Sequence, residues 1–408
     1  MSKGTTLVAL RVRDFRLYWL GLASQVGGQH MFQFTLGWLA FEISGSQAQL
    51  ALIHLCGFVP QATLTLLGGV LADRWDPRKL IGFAQSLAGA AFLVTGLLVL
   101  LGWTQMWHLA IASFLLGLSN SIDEPSRAAF FPRLLPRTHL RSAVPLISMA
   151  FGGSRIVAPS LAGFLIAAWG AYTSFLTSAV MVSVMLAVLC LVRPGVGQGP
   201  SHGSLLNDFT DSIRYVRSNE VFSKVIVAAL LNAAFLMGYA HVLPVFAKDL
   251  LGVDSRGLGA MVSAVGAGAL CGLLSYTWLQ ARFTPRNVMV GALTAYSIVL
   301  MGVALSDRFW LSVPLLALAG LSQAYFMTAS QVTLQTLVDE EYRGRVMGIF
   351  TLVWSLVVLS GFLLNFAGAL FGPRMALAGG AAIVFCYVWL SLARSTALRR
   401  LTLAPKPS

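Results

Sequence analysis

The side chains able to do chemistry here are few, and they interrupt long apolar runs. Gln25, Gln29 and Gln33 recur every four residues, which keeps three amides on nearly one helical face, with His30 one step round. Glu42 stands at the far end of that run. Asn120, Asp123 and Glu124 close a later run, and Arg155 lies inside the next. Asn232 and Tyr239, seven apart, share a face, and Gln323, Tyr325, Trp354 and Asn365 follow in further runs. Amides, aromatic rings and isolated charges at such depth suit recognition of a small molecule of mixed polarity, together with protonation of a carboxylate or an imidazole. Two plainer roles stay open: interhelical hydrogen bonding for the amides, and a backbone or helix-dipole partner for Arg155. No nucleophile elbow, phosphate-binding loop or metal-spaced His/Cys cluster occurs, so the reading is a non-enzyme with no metal and no cofactor. Cys56, Cys190, Cys271 and Cys386 all fall in apolar runs and read as small packing residues.

The elements that must position these residues are membrane helices. Of the 408 residues, 57% are hydrophobic and 11% charged, whereas a soluble chain carries about a quarter charged residues. A bilayer span needs about 20 apolar residues. Hydropathy gives twelve candidate spans, near 17–41, 47–72, 79–101, 106–124, 140–168, 171–192, 223–247, 257–280, 288–305, 309–332, 344–370 and 374–394. The stretch between the sixth and seventh is different, with a Gly/Pro/Ser-rich segment followed by the amphipathic DFTDSIRYVRSNE. The expected fold is therefore an all-α membrane protein of twelve transmembrane helices. Residues 1–192 form one six-helix bundle, 193–222 a cytoplasmic linker with a short surface helix, and 223–408 a second bundle with a cytoplasmic tail.

The net charge of +13 could suggest nucleic acid, but its placement argues otherwise. Every Lys and Arg lies in a terminus or in the loops of one membrane side, except Lys248, Arg256, Arg308, Arg374 and Arg155. That asymmetry predicts a multi-pass protein of an inner, or plasma, membrane with both termini cytoplasmic and no nucleic-acid partner. Membrane lipids are the remaining macroscopic partner, and a monomer suffices. The short basic segment Met1 to Arg16 reads as a cytoplasmic start and not as a signal peptide. The halves also echo each other. LADRWDPRK at 71–79 aligns with LQARFTPRN at 279–287, so Arg74, Pro77 and Arg78 fall on Arg282, Pro285 and Arg286. A duplicated unit is a signature of transporters that bind at the interface of their repeats.

The string GVLADRWDPRK, Gly69 to Lys79, resembles the loop between helices 2 and 3 of the major facilitator superfamily, G-x-L-x-D-R-x-G-R-[RK]. It keeps the first Gly, the Asp and the basic residues, and has Asp76-Pro77 where the second Gly usually stands. With the spans, the linker and the repeat, the resemblance covers nearly the whole chain. It implies that Gly69, Asp73, Arg74, Arg78 and Lys79 form a conformational latch. Asp73 would approach the start of helix 11 near Gly344, with Asp123 and Glu124 as partners for Arg74 or Arg78. Enforcing topology alone is the other role open to these basic residues. SIDEPSRAAFFPRLLP at 121–136, QTLVDEEYRGRV at 335–346 and DFRLYW at 14–19 resemble the branch that holds enterobactin exporters and macrolide efflux pumps. APSLAG, with Ala158, Pro159, Ala162 and Gly163, resembles the exporter-associated helix-5 motif, with alanine at two glycine positions. The implied function is export of a small organic compound, such as a siderophore, an antibiotic or a similar amphiphile, by proton antiport with alternating access. Alternatives on the same fold are an importer, a lysophospholipid flippase, or a scaffold or receptor that transports nothing. Proton-coupling candidates, in order, are Asp123, Asp73, Glu124, His30 and Glu42. The substrate cavity is expected at Gln25, Gln29, Gln33, Asn120, Arg155, Asn232, Tyr239, Gln323, Tyr325 and Trp354.

Overall fold

The computed structural model describes residues 8–136, 139–192, 219–338 and 340–399. Almost all of the expected linker, 193–218, lies outside them, as do the side chains of Arg155, the 341–345 segment with Gly344, and Trp354. The described residues are helical, in two compact units. The first is Met1–Ser201 with Val253–Ser263; the second is His202–Gly252 with Ala264–Ser408.

In the first unit α1 runs Arg13–Ser44, α2 Gln47–Arg74, α3 Pro77–Leu100, α4 Met106–Phe130, α5 Leu140–Trp169 and α6 Ala171–Leu191. Local chemistry sets their ends. Gly45 stops α1 in a left-handed conformation, φ 59°, with its N–H on Phe41 O. Asp76 caps α3 by accepting from the Arg78 N–H at 3.0 Å, and Pro77 fills the first helical position, where no N–H is needed. This explains the departure from the usual loop pattern: Asp-Pro is a helix-start signal standing where the family has a glycine. The two parts of α2 are bent by 49° about Leu66, where the Thr65 hydroxyl donates to Gln61 O on the preceding turn.

The second unit holds α7 Glu220–Leu231, α8 Tyr239–Val245, most of α9 Ser255–Gln280, α10 Pro285–Leu305, α11 Phe309–Leu337, α12 Glu340–Phe371, α13 Pro373–Tyr387 and the short α14 Thr396–Arg399. The loop before α10 repeats the loop before α3. Thr284 takes the capping place of Asp76, accepting from the Asn287 N–H, and Pro285 takes the place of Pro77.

Among the described residues eight helices are long and apolar enough to cross a membrane, nine when the bent α2 counts as one span. α1 and α4 fall short of that measure because they carry the polar side chains singled out above. Large apolar side chains point outward along the helices, including Leu274 at 74% and Leu390 at 64% exposure. Trp75, Trp103, Trp107, Trp169 and Trp310 stand exposed at or beside helix ends, as an aromatic belt at a bilayer boundary requires.

Helix packing within each unit uses the same device. An ideal Cβ on Gly117 in α4 would lie 2.0 Å from the Gly57 carbonyl oxygen in α2. An ideal Cβ on Gly320 in α11 would lie 2.0 Å from the Val265 carbonyl oxygen in α9. Val265 stands 208 residues after Gly57, the offset already seen between Arg74 and Arg282. Small residues here let two backbones touch, the association mode open to helices in lipid.

The span from Glu220 to Leu250 is broken twice by π-helical turns, Asn232–Leu236 and Phe246–Leu250, with Pro244 between them. Proline removes a donor and loosens the preceding turn. Asn365 in α12 braces this span: its amide donates to His241 O at 3.1 Å and to Gly361 O at 2.8 Å. Asn365→Leu should therefore cost about 0.5–1.5 kcal/mol, the net worth of a typical hydrogen bond. A thermal melt of purified variant and parent checks this, and no loss would show that the contact to His241 O adds nothing to stability.

Candidate functional site

α1 and α4 position a fully buried polar core. Steps of three, four and seven residues place Tyr18, Gln25 and Gln29 on the α1 face toward α4, and Asn120, Asp123 and Arg127 on the α4 face toward α1. The Gln25 amide donates to Asp123 Oδ2 at 2.7 Å. Arg127 Nε lies 2.6 Å from the same oxygen, one turn along α4. The guanidinium carbon sits 5.3 Å from the Phe151 ring centroid, so an aromatic face from α5 covers the cation. One turn further along α1, the Gln29 amide donates to Asn120 Oδ1 at 3.3 Å. Tyr18 packs on Phe130 with ring centroids 5.6 Å apart, closing the end nearer the start of α1. Asp123 and Gln25 are 0% exposed. Arg127 is the cation placed against the Asp123 carboxylate at this depth.

The remaining candidates are dispersed. Gln33 is exposed, and His30 Nδ1 pairs with Val26 O on its own helix at 2.8 Å. Glu42 and Glu124 are exposed. Asp73, Arg74 and Lys79 are exposed at the α2–α3 turn, with Arg78 half-buried. Asp123 takes Gln25 and Arg127 as partners, not Arg74 or Arg78 as the loop resemblance suggested. Gly69 faces open space, whereas an ideal Cβ on its neighbour Gly68 would lie 2.0 Å from Ser121 O. In α5, Ala158 and Ala162 pack with Met31 of α1. The Ser255 hydroxyl, at the start of α9, donates to Gly163 O at 3.2 Å, and an ideal Cβ on Gly163 would lie 2.5 Å from Ser255 O.

In the second unit Asn232 is buried, its amide 3.7 Å from Met327 Sδ. Tyr239 is buried edge-on against Tyr296, with centroids 6.3 Å apart. Tyr325 shares a 2.7 Å hydrogen bond with Ser275, and Gln323 is half-buried. Arg286, the repeat partner of Arg78, donates to Ala393 O at the end of the last span. Ser395 then donates to Glu220 at 3.0 Å, tying the chain's last turns to the start of α7.

Arg127 is the residue sequence reasoning placed elsewhere, among cytoplasmic loop charges. The structure puts it inside α4 and 9% exposed. Its spacing of four from Asp123 is the signal that locates it.

The sequence matches the family described as transmembrane secretion effector over residues 4–400. The chain belongs to the major facilitator superfamily. This transporter is 22% identical over 349 residues to the staphyloferrin A transporter of Staphylococcus aureus, covering 85% of this chain and 87% of that protein. It is 23% identical over 376 residues to macrolide efflux protein A of Streptococcus pyogenes, covering 88% and 90%. It is 26% identical over 393 residues to the multidrug efflux pump Tap of Mycobacterium tuberculosis, covering 90% of each. Its fold matches a bacterial homologue of the human lysosomal transporter Spinster, with TM-score 0.76, 13% identity, and 96% and 99% coverage. It also matches a bacterial homologue of the iron transporter ferroportin, with TM-score 0.70, 17% identity, and 95% and 98% coverage. The transporter is thus a multi-pass protein of the bacterial plasma membrane.

Proposed function

We propose that this transporter exports a small organic compound, a siderophore, an antibiotic or a similar amphiphile, by proton antiport. The observation that supports it is the Gln25–Asp123–Arg127 core. Asp123 ionised is paired with Arg127; Asp123 protonated releases that cation to rearrange. A buried carboxylate with one strong partner is a two-state element of the kind coupling needs. Asp73, Glu124 and Glu42 rank behind it because they are exposed, and His30 because its Nδ1 pairs with a carbonyl of its own helix. The named relatives move a siderophore, macrolides and several drugs, which supports export and a substrate of mixed polarity.

In this reading two six-helix bundles, 1–192 and 223–408, joined by 193–222, rock about a midplane site. Both termini are cytoplasmic, and one copy of the chain works alone. Gly69, Asp73, Arg74, Arg78 and Lys79 act as the latch of the cytoplasmic side. Ala158, Pro159, Ala162 and Gly163 give α5 the close contact with α9 that exporters use. Gln25, Gln29, Gln33, Asn120, Arg155, Asn232, Tyr239, Gln323, Tyr325 and Trp354 supply the amides and rings that meet substrate as the cavity opens.

The test is transport in everted membrane vesicles, with a radiolabelled macrolide and a cationic fluorescent dye as probes and an imposed pH gradient. Uptake should follow the gradient and fall to background in Asp123→Asn at unchanged protein abundance. Gradient-independent uptake would overturn antiport. Comparing spent medium and cell extract of deletion and overexpressing strains names the substrate: a compound retained inside the deletion strain supports export, and one lost from it makes the chain an importer.

A further inference from the structure

Gln85 in α3 is 0% exposed, and neither its amide nitrogen nor its oxygen has a hydrogen-bond partner. Buried side-chain amides are nearly always satisfied, so an unpaired one at this depth is informative. Two contacts fix where it sits. Phe92, two turns along the same face of α3, stacks on Phe32 of α1 with centroids 3.9 Å apart. α1 and α3 run parallel, being separated by the antiparallel α2, and Gln25 lies two turns before Phe32 on its own face. The stack therefore puts Gln85 at the level of Gln25. Ser119, one turn before Asp123 on α4, donates to the carbonyl of Ala84 at 2.7 Å; α4 is antiparallel to α3, so Asp123 lies about one turn nearer the start of α3 than Gln85. Both markers leave Gln85 within about one helical turn of the Gln25–Asp123 contact, measured along the bundle axis.

That contact has unpaired atoms too. Gln25 Oε1 and Asp123 Oδ1 are buried without a hydrogen-bond partner. With Gln85 that makes four such atoms, three acceptors and one donor, on α1, α3 and α4; Arg127 Nε, a fifth without a hydrogen bond among the described residues, is ion-paired to Asp123 Oδ2 at 2.6 Å. A single water bridging two groups covers about 5.5 Å, two hydrogen bonds end to end, and buried polar atoms without protein partners are where such waters sit. A metal cation fits worse. Arg127 already balances the Asp123 charge, so a second cation would be buried without compensation.

We propose that Gln25, Gln85 and Asp123 hold an internal water, and that this water is the immediate proton donor to Asp123. It donates hydrogen bonds to Asp123 Oδ1 and to an amide oxygen, and accepts one from the Gln85 amide nitrogen. When Asp123 is protonated, the water passes one proton to Oδ1 and takes one from the aqueous side, so it ends unchanged. The titratable and charged groups around Asp123, among the described residues, are Arg127 and Glu124 on its own helix and Tyr18 on α1. α3 brings Gln85, and α5 brings the Phe151 ring. Gln85 is accordingly a positioning residue. The inference rests on Asp123 being the coupling carboxylate, and the experiment separates the two.

The experiment is infrared difference spectroscopy between acid and alkaline pH on the full chain in lipid nanodiscs, with exchange into oxygen-18 water as the probe. An O–H stretching band of an internal water should shift on exchange in the wild type. It should vanish in Gln85→Leu and in Asp123→Asn, and survive in Ser86→Ala, whose residue is exposed on the same helix. Gln85→Met serves if the leucine variant fails to fold. A band that persists in Gln85→Leu, is missing from the wild type, or is displaced by sodium ions overturns the water site. The protonated carboxyl band of Asp123 reports separately. If it never develops while the water band behaves as expected, the coupling role fails and the water site stands.

Discussion

Gly117→Leu should leave no folded transporter in the membrane, and Gly117→Ala should cost about 3 kcal/mol or more, the upper range for overpacking a tight interface. The reason is that the atom in the way is a backbone oxygen. An ideal Cβ on Gly117 meets Gly57 O at 2.0 Å, and Pro60 Cγ at 2.9 Å. A side-chain neighbour would rotate; a carbonyl inside a helix cannot, so α2 and α4 must separate along their length. Gly320→Ala should behave alike against Val265 O. Gly153→Ala is the control, since its Cβ meets nothing within 4 Å. Fluorescence-detected size-exclusion chromatography after stepwise heating reads all of these. Parent-like melting of Gly117→Ala would mean that the two helices are not in backbone contact.

The second large effect is electrostatic. Arg127→Met should destabilise the transporter by about 3–5 kcal/mol, because it strands the Asp123 carboxylate in a buried site. The double variant Asp123→Asn with Arg127→Met should recover most of that loss, since two charges then leave together. Neither should support gradient-driven transport. The pattern matters more than either value. A pair that is merely adjacent would give additive losses, whereas this pair should give strong coupling in a double-mutant cycle. Additive losses, read from melts of the four proteins, would mean that Asp123 has another counter-charge.

Much of this was legible in the residues, and the exceptions have physical causes. Apolar runs located the helices because a bilayer leaves few other ways to satisfy a backbone. α4 was expected to end near 124 but continues to Phe130. Hydropathy counts charges singly, while Asp123 and Arg127 neutralise each other inside the helix. The Gln25, Gln29 and Gln33 stripe was legible in part. Each step of four turns the face by about 40°, so the third amide has rotated about 80° from the first, and Gln33 is exposed while Gln25 and Gln29 are buried. Gln85 drew no notice because it stands alone on α3, and its meaning comes from helices that are distant in sequence. The cap formed by Asp76 was visible only as a departure from a loop pattern, and its role follows from the hydrogen bond to Arg78.

The carbonyl contacts of Gly117 and Gly320 also bear on how such a chain changes over generations. The oxygen each glycine meets is a backbone atom that different residue types can supply: it belongs to Gly57 in one unit, where an ideal Cβ would itself lie 2.8 Å from Ser113 Oγ, and to Val265 in the other. Duplicated halves can drift until little identity remains and still lock together at the same points, and whole proteins can do the same. A lineage built this way is free to rewrite nearly everything that meets its cargo while its scaffold stays recognisable by shape.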